Sequence, residues 1–158
     1  MNGCERRAQS DVKWNNVSGR NDTRIMIGLL IVTHCDLGRE FLNAAEFIVG
    51  GLQAAEAISI TQASTSEDIH QMIERKIRNL DSGNGVLILT DMFGGTPSNL
   101  SLSFLKQDMV EVLTGVNLPM IIAISQNRSD MKLSELAEKA REAGAKSISL
   151  AGKLLESE

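Results

Sequence analysis

Apolar residues along this chain follow two alternating rhythms. Short, nearly unbroken apolar runs of strand length sit at residues 25–32, 57–60, 86–90 and 109–113, and between them apolar positions recur at helical spacing. Strand runs separated by helical stretches predict an α/β fold, a doubly wound, mostly parallel open sheet flanked by helices. The runs at 25–32 and 86–90 are nearly all Ile, Leu and Val, as expected of strands buried on both faces. They are expected in the middle of the sheet.

Between the strands, Leu37, Phe41, Ala45 and Ile48 mark one helix face, with Gly50-Gly51 as its stop. Ser64 and Glu67 have the spacing of a capping box ahead of the stripe Ile69, Met72, Ile73, Ile77 and Leu80, which ends near Gly83. Thr96-Pro97 reads as an N-cap followed by a first-turn proline, with Leu100 and Phe104 as the buried face. Asn117 can cap a short apolar helix through Ile124, and Leu133, Leu136, Ala137 and Ala140 mark another that stops at Gly144. Residues 147–150 alternate polar and apolar, the pattern of a short C-terminal antiparallel edge strand.

Residues 1–24 are different in kind. They are polar, carry the only Trp of the chain at position 14, and have no periodic apolar face, so a disordered leader is expected before a single domain at 25–158. Met26 stands directly before the first strand run, where a downstream translation start would fall. The leader holds five Lys/Arg against three Asp/Glu, which leaves 11 basic and 17 acidic residues, net −6, in the remainder. An acidic domain with 3% aromatic residues has neither the charge nor the stacking platforms for nucleic acid. The two cysteines, Cys4 and Cys35, have no disulfide-framework or metal-ligand spacing, which points to a reducing compartment. The longest apolar run is far shorter than the roughly 20 residues that span a bilayer, and no apolar signal core is present. A cytoplasmic location is expected.

Candidate chemistry gathers at two strand ends. His34 follows the first run in Val32-Thr33-His34-Cys35-Asp36-Leu37-Gly38, and Asp91 follows the third in Asp91-Met92-Phe93-Gly94-Gly95-Thr96-Pro97-Ser98-Asn99. Ligands of open α/β sheets bind beyond the carboxyl ends of strands, where strand order reverses. If the two runs are neighbours, His34 and Asp91 meet there. A carboxylate on one ring nitrogen fixes the imidazole tautomer and leaves the other nitrogen nucleophilic. Gly94 and Gly95 allow close backbone approach, and the helix beginning near Thr96 would aim N–H groups at an anion. Taken singly, each residue also has a structural reading: a hydrogen-bonded histidine, a turn former at Asp91, a tight turn at the glycines, an N-cap at Thr96. Their joint placement favours chemistry. His70 is expected to face solvent, and Cys35 reads as a small neighbour of the histidine. Neither GxGxxG nor GxxxxGK[ST] occurs, which argues against dinucleotide and nucleotide-hydrolysis sites.

With these segments laid out, the chain from about Met26 to Leu150 resembles the mannose-family enzyme IIA of the bacterial phosphoenolpyruvate-dependent sugar phosphotransferase system. The resemblance rests on Ile31-Val32-Thr33-His34, the Asp91 to Asn99 segment, and Gly115-Val116-Asn117-Leu118-Pro119-Met120. It implies a phosphotransferase with a phosphohistidine intermediate. His34 would be phosphorylated by phospho-HPr, typically on Nε2, and would pass the group to a IIB component. Asp91 would orient the ring, and Thr96, beside Gly94 and Gly95, would help bind the phosphoryl group. No metal or cofactor is implied. The membrane IIC and IID components would be indirect partners, and a homodimer is implied in which the final strand lies on the partner's sheet, with Gly144 as the hinge. Relatives carry Trp before the glycine pair and Ser after it, where this chain has Phe93 and Thr96. No IIB domain follows Glu158, so a separate acceptor chain is expected. Two alternatives share the same chemistry at His34: the phosphoryl-donor subunit of a dihydroxyacetone kinase, and a regulatory phosphoprotein without sugar transport. A flavin-binding or receiver-type domain is disfavoured, since no acidic pair follows the first run and Tyr is absent.

Overall fold

A computed structural model describes residues 25–155. The expected polar leader at 1–24 lies outside the described residues. Strands β1 (Gly28–His34), β2 (Ala55–Ile60), β3 (Val86–Thr90) and β4 (Val110–Thr114) alternate with helices α1 (Leu37–Val49), α2 (Ser66–Leu80) and α3 (Thr96–Leu102). Helices α4 (Leu118–Asn127), α5 (Leu133–Lys146) and α6 (Ala151–Leu155) complete the described chain.

All four strands are parallel, in the order β2-β1-β3-β4. The two most apolar runs are therefore the central strands, as their composition predicts. Alternate residues of β1 and β3 feed two cores. Leu29, Ile31, Leu87 and Leu89 pack under α1, α4 and α5, while Leu30, Val32, Val86 and Ile88 pack with α2 and α3. Each of these fully buried side chains is worth about 1.5–3 kcal/mol relative to exposure, so the centre of the sheet is its most strongly held part. Among the described residues, no helix is long and apolar enough to cross a membrane.

Several local expectations change in the folded chain. β1 begins at Gly28, where a Cβ would lie 2.8 Å from both Cβ and O of Leu80; Ile25, at the head of the apolar run, is exposed. On α1 Gly38 and Ala45 are buried and Phe41, Leu42 and Val49 half-buried, a stripe rotated from the predicted one, and Leu37 and Ile48 are exposed. The cap of α2 is Thr65, whose side chain accepts from the Asp68 N–H, whereas Ser64 Oγ accepts from the Thr61 N–H. Asn117 caps α4 as expected, accepting from the Met120 N–H. Helix α5 does not stop at Gly144. It runs on to Lys146, and Gly144 is buried so closely against α4 that a Cβ there would collide with the Met120 side chain. A glycine packed inside a helix is no hinge.

Residues 147–150, expected as an antiparallel edge strand, pair with no strand among the described residues. α5 consumes the residues up to Lys146, and the short remainder leaves Ile148 and Leu150 exposed before α6 begins.

Candidate functional site

The site is built by register. β1 pairs with β3 from Gly28↔Val86 to Val32↔Thr90, so β3 ends two residues early, while β1 continues beside β2 through Thr33↔Ser59 and His34↔Ile60. The chain turns outward from β1 to β2 on one side and to β3 on the other, which makes the carboxyl end of β1 the switch point. His34 projects there beyond the last paired residue of β3, and Asp91 is the first residue after β3.

A single oxygen of Asp91 holds the histidine twice. Asp91 Oδ2 accepts from the His34 backbone N–H at 2.9 Å and lies 2.8 Å from His34 Nδ1. Asp91 Oδ1 accepts from the Met92 N–H at 2.9 Å. Burial pushes the Asp91 carboxyl up, but the hydrogen bonds from the His34 backbone and ring, with that from Met92, outweigh it and hold the pKa below the ordinary carboxylate value. An ionised Asp91 can only accept, so it favours the His34 tautomer with hydrogen on Nδ1 and a lone pair on Nε2. The His34 side chain is 48% exposed and that of Asp91 12%. The ring can be reached by another molecule, whereas the carboxylate is shielded.

The glycines differ in their reasons. Gly94 has φ +81 and no atom within 4 Å of a built Cβ, so backbone conformation requires it. Gly95 has φ −78, which any residue adopts, but a Cβ would lie 3.2 Å from His34 Cε1. It is glycine because the imidazole lies against it. Gly95 also caps α3, so Thr96 is the first helical residue rather than the predicted cap, and no side chain caps this end. Thr96 is exposed, and Asn99 braces the loop by donating from Nδ2 to the Gly94 carbonyl and from its N–H to the Gly95 carbonyl. Met92 and Phe93 form an exposed apolar rim.

On the β2 side, Ser59 Oγ donates to Asp36 Oδ1 at 2.8 Å, and the Cys35 N–H donates to the Ile60 carbonyl at 2.8 Å. Neither Ser59 nor Asp36 stands out in the sequence; only the pairing of β2 with β1 brings them together. Cys35 is exposed and free, with φ 48. His70 lies away from this crevice on α2. It is half-buried rather than solvent-facing, its ring centroid 4.4 Å from that of Phe104. Among the described residues no group of His, Cys, Asp and Glu is arranged to hold a metal ion.

Comparison with known proteins bears on this arrangement. The sequence pattern of the EIIA-man family, described as "PTS system fructose IIA component", matches residues 28–141. YadI of Escherichia coli (strain K12) is 34% identical over 125 residues, which cover 78% of this chain and 86% of that protein. The PTS system mannose-specific EIIAB component of the same strain is 29% identical over 124 residues, 77% of this chain but 38% of that longer protein. In structure, the phosphotransferase system component EIIA from Streptococcus agalactiae superposes with a TM-score of 0.73 at 27% identity, over 81% of this chain and 99% of that one.

Proposed function

The chain belongs to the EIIA-man family of phosphotransferase-system IIA components, and on that premise we propose that it is a phosphocarrier that accepts a phosphoryl group from phospho-HPr on His34 and passes it to a IIB component. The observation that carries this reading is the 2.8 Å contact between His34 Nδ1 and Asp91 Oδ2. It commits Nδ1 to the carboxylate and leaves Nε2, on a half-exposed ring, as the nucleophile.

In the proposed step the Nε2 lone pair attacks phosphorus in line as the P–N bond to the donor histidine breaks, and the electron pair of that bond returns to the donor imidazole. Asp91 offsets the positive charge that develops on the His34 ring. The protein's share is positioning and electrostatic stabilisation. The Thr96 hydroxyl and the backbone N–H groups of Gly94 and Gly95 are assigned to the phosphoryl oxygens, and the exposed rim of Met92 and Phe93 to apolar contact with the partner protein. Transfer onward to IIB is the same displacement run from phosphohistidine, and a cytoplasmic place follows from a soluble donor.

Incubation with enzyme I, HPr and labelled phosphoenolpyruvate tests the proposal. One labelled histidine is expected, lost entirely in His34→Ala while the fold survives; undiminished label in that variant would sink the reading. We also propose a homodimer, because β4 is the outermost strand on its side of the sheet, bridged on its free edge among the described residues at Val110, to Lys106, and Ile148 and Leu150 are exposed in a segment that can lie along the rest of that edge. Light scattering at micromolar concentration should give the mass of two chains. A chain ending at Ser147 should give the mass of one, and a truncated chain that stays dimeric removes residues 148–150 from the contact.

A further inference from the structure

Thr33 precedes the histidine, is fully buried, and follows the aliphatic run Leu29, Leu30, Ile31 and Val32 in β1. A hydroxyl in such surroundings is costly unless hydrogen-bonded. Thr33 Oγ1 accepts from the Gly38 N–H at 2.8 Å and lies 3.5 Å from the Cys35 carbonyl, the outer limit of a hydrogen bond. Gly38 N–H belongs to the first turn of α1, where backbone donors have no partner inside the helix. The two bonded residues therefore bracket the turn that carries His34.

That turn is strained. Cys35 has φ 48, a left-handed conformation unfavourable for a residue with a Cβ. Its surroundings must hold it there, and Gly38 is seated so tightly that a Cβ would lie 3.1 Å from both Ile31 Cγ2 and Thr33 Oγ1. Burial of a threonine at a strand end does not by itself create such a tie. Thr90 ends β3 equally buried, and its hydroxyl has no hydrogen-bond partner among the described residues.

We infer that Thr33 is a positioning residue for phosphoryl transfer: by holding the Gly38 N–H, its hydroxyl fixes the turn through Cys35 and with it the direction of the His34 ring toward Asp91. Asp91 ties the ring to β3, but the course of the chain immediately after His34 is set by this turn. Release of Gly38 lets Cys35 relax, swings the ring off Oδ2 and takes Nε2 out of line. The inference rests on His34 being the phosphoryl acceptor; its geometric half, control of the ring by Thr33, stands apart from that.

Thr33→Val replaces the hydroxyl with a methyl of similar size, and Thr33→Ser keeps the hydroxyl and drops the methyl. Single-turnover transfer from phospho-HPr should slow roughly ten- to a hundredfold in Thr33→Val, the scale of a misplaced reacting group, and remain near wild type in Thr33→Ser even though its melting temperature falls. Nitrogen-15 spectra of the labelled ring should report a single Nδ1–H tautomer in wild type and Thr33→Ser, and a mixture in Thr33→Val. A Thr33→Val protein with wild-type rate and tautomer overturns the inference, as does a Thr33→Ser protein as slow as Thr33→Val. Where Thr33→Val does not fold, Thr33→Ser decides: wild-type rate and tautomer at a lowered melting temperature support the hydroxyl's role, and a slow, mixed-tautomer protein refutes it. If wild type takes no phosphoryl group from phospho-HPr, the reading of His34 falls, while the ring spectra still decide whether Thr33 governs the ring.

Discussion

Two segments face one another across the switch point, and they are built in opposite ways. The turn from β1 to α1 has only Cys35 and Asp36 between the elements, and it is tied down by Thr33 to Gly38, Cys35 to Ile60, and Ser59 to Asp36. The connection from β3 to α3 is longer and more open, with Met92 56% and Phe93 75% exposed. Its own bracing comes from Asp91 to Met92 and from Asn99 to the glycine carbonyls. The histidine sits on the stiff segment, and the groups that would meet a phosphoryl oxygen or a partner surface sit on the open one. A nucleophile gains from being fixed, because misplacement costs rate steeply. A docking rim gains from being accessible.

The sharpest way to break this comparison is Asp91→Asn, at the side chain that hydrogen-bonds across from one segment to the other. The amide can still touch the ring but no longer imposes one tautomer or offsets developing charge, so transfer should fall about 10²-fold without vanishing. Rapid-quench transfer from phospho-HPr measures it, and wild-type rates would remove Asp91 from the mechanism. Gly95→Ala comes next. Its backbone conformation suits any residue, but the added Cβ would press on His34 Cε1 and on Met92 Cγ, 3.2 and 3.3 Å away. A ring moved by a few tenths of an ångström should cost roughly tenfold in rate, while the melting temperature stays close to wild type.

Gly94→Ala, one residue earlier, should reveal the other glycine requirement. Nothing obstructs a Cβ, but φ +81 strains any side chain, so the cost should appear as about 1 kcal/mol of stability in denaturant unfolding. Equal stability losses at Gly94 and Gly95 would refute the assignment of different reasons to the two. The smallest effect is acid dependence. The Asp91 pKa is lower folded than its ordinary value of 3.8, so its contribution to stability is present above 3.8 and is lost as pH falls through the folded value. The stability gap between wild type and Asp91→Asn should therefore narrow as pH falls below 3.8; a gap that widens in acid would reverse the sign of the linkage.

Some of the architecture could be read without coordinates and some could not. The predominance of Ile, Leu and Val in the first and third runs marks strands covered on both faces, a condition met by the central strands of a parallel sheet. On α1 the predicted stripe shares Phe41 and Ala45 with the packed face but differs at its ends, because Leu37 and Ile48 match a helical stripe as well as the buried Gly38 and half-buried Val49 do. Periodicity counts apolar residues, and a buried glycine escapes it. The C-terminal segment differs for a related reason: alternation over four residues is compatible with a strand, but α5 uses the chain up to Lys146 and leaves residues 147–150 without a strand partner among the described residues, so pairing there requires the edge of a second chain.

The sequence alone determined that the fold alternates strands and helices, which two strands lie at the centre, and that His34 and Asp91 stand at their carboxyl ends, because burial on both faces and the chemistry of strand ends are local to a few neighbouring residues. Tertiary structure decided the rest: the two-residue overhang of β1 past β3, the single Asp91 oxygen that takes both the backbone N–H and the ring of a residue 57 positions away, the imidazole against Gly95, and the bond from Ser59 to Asp36. These depend on strand register and on separations of a few ångströms between distant parts of the chain, which no pattern along it encodes.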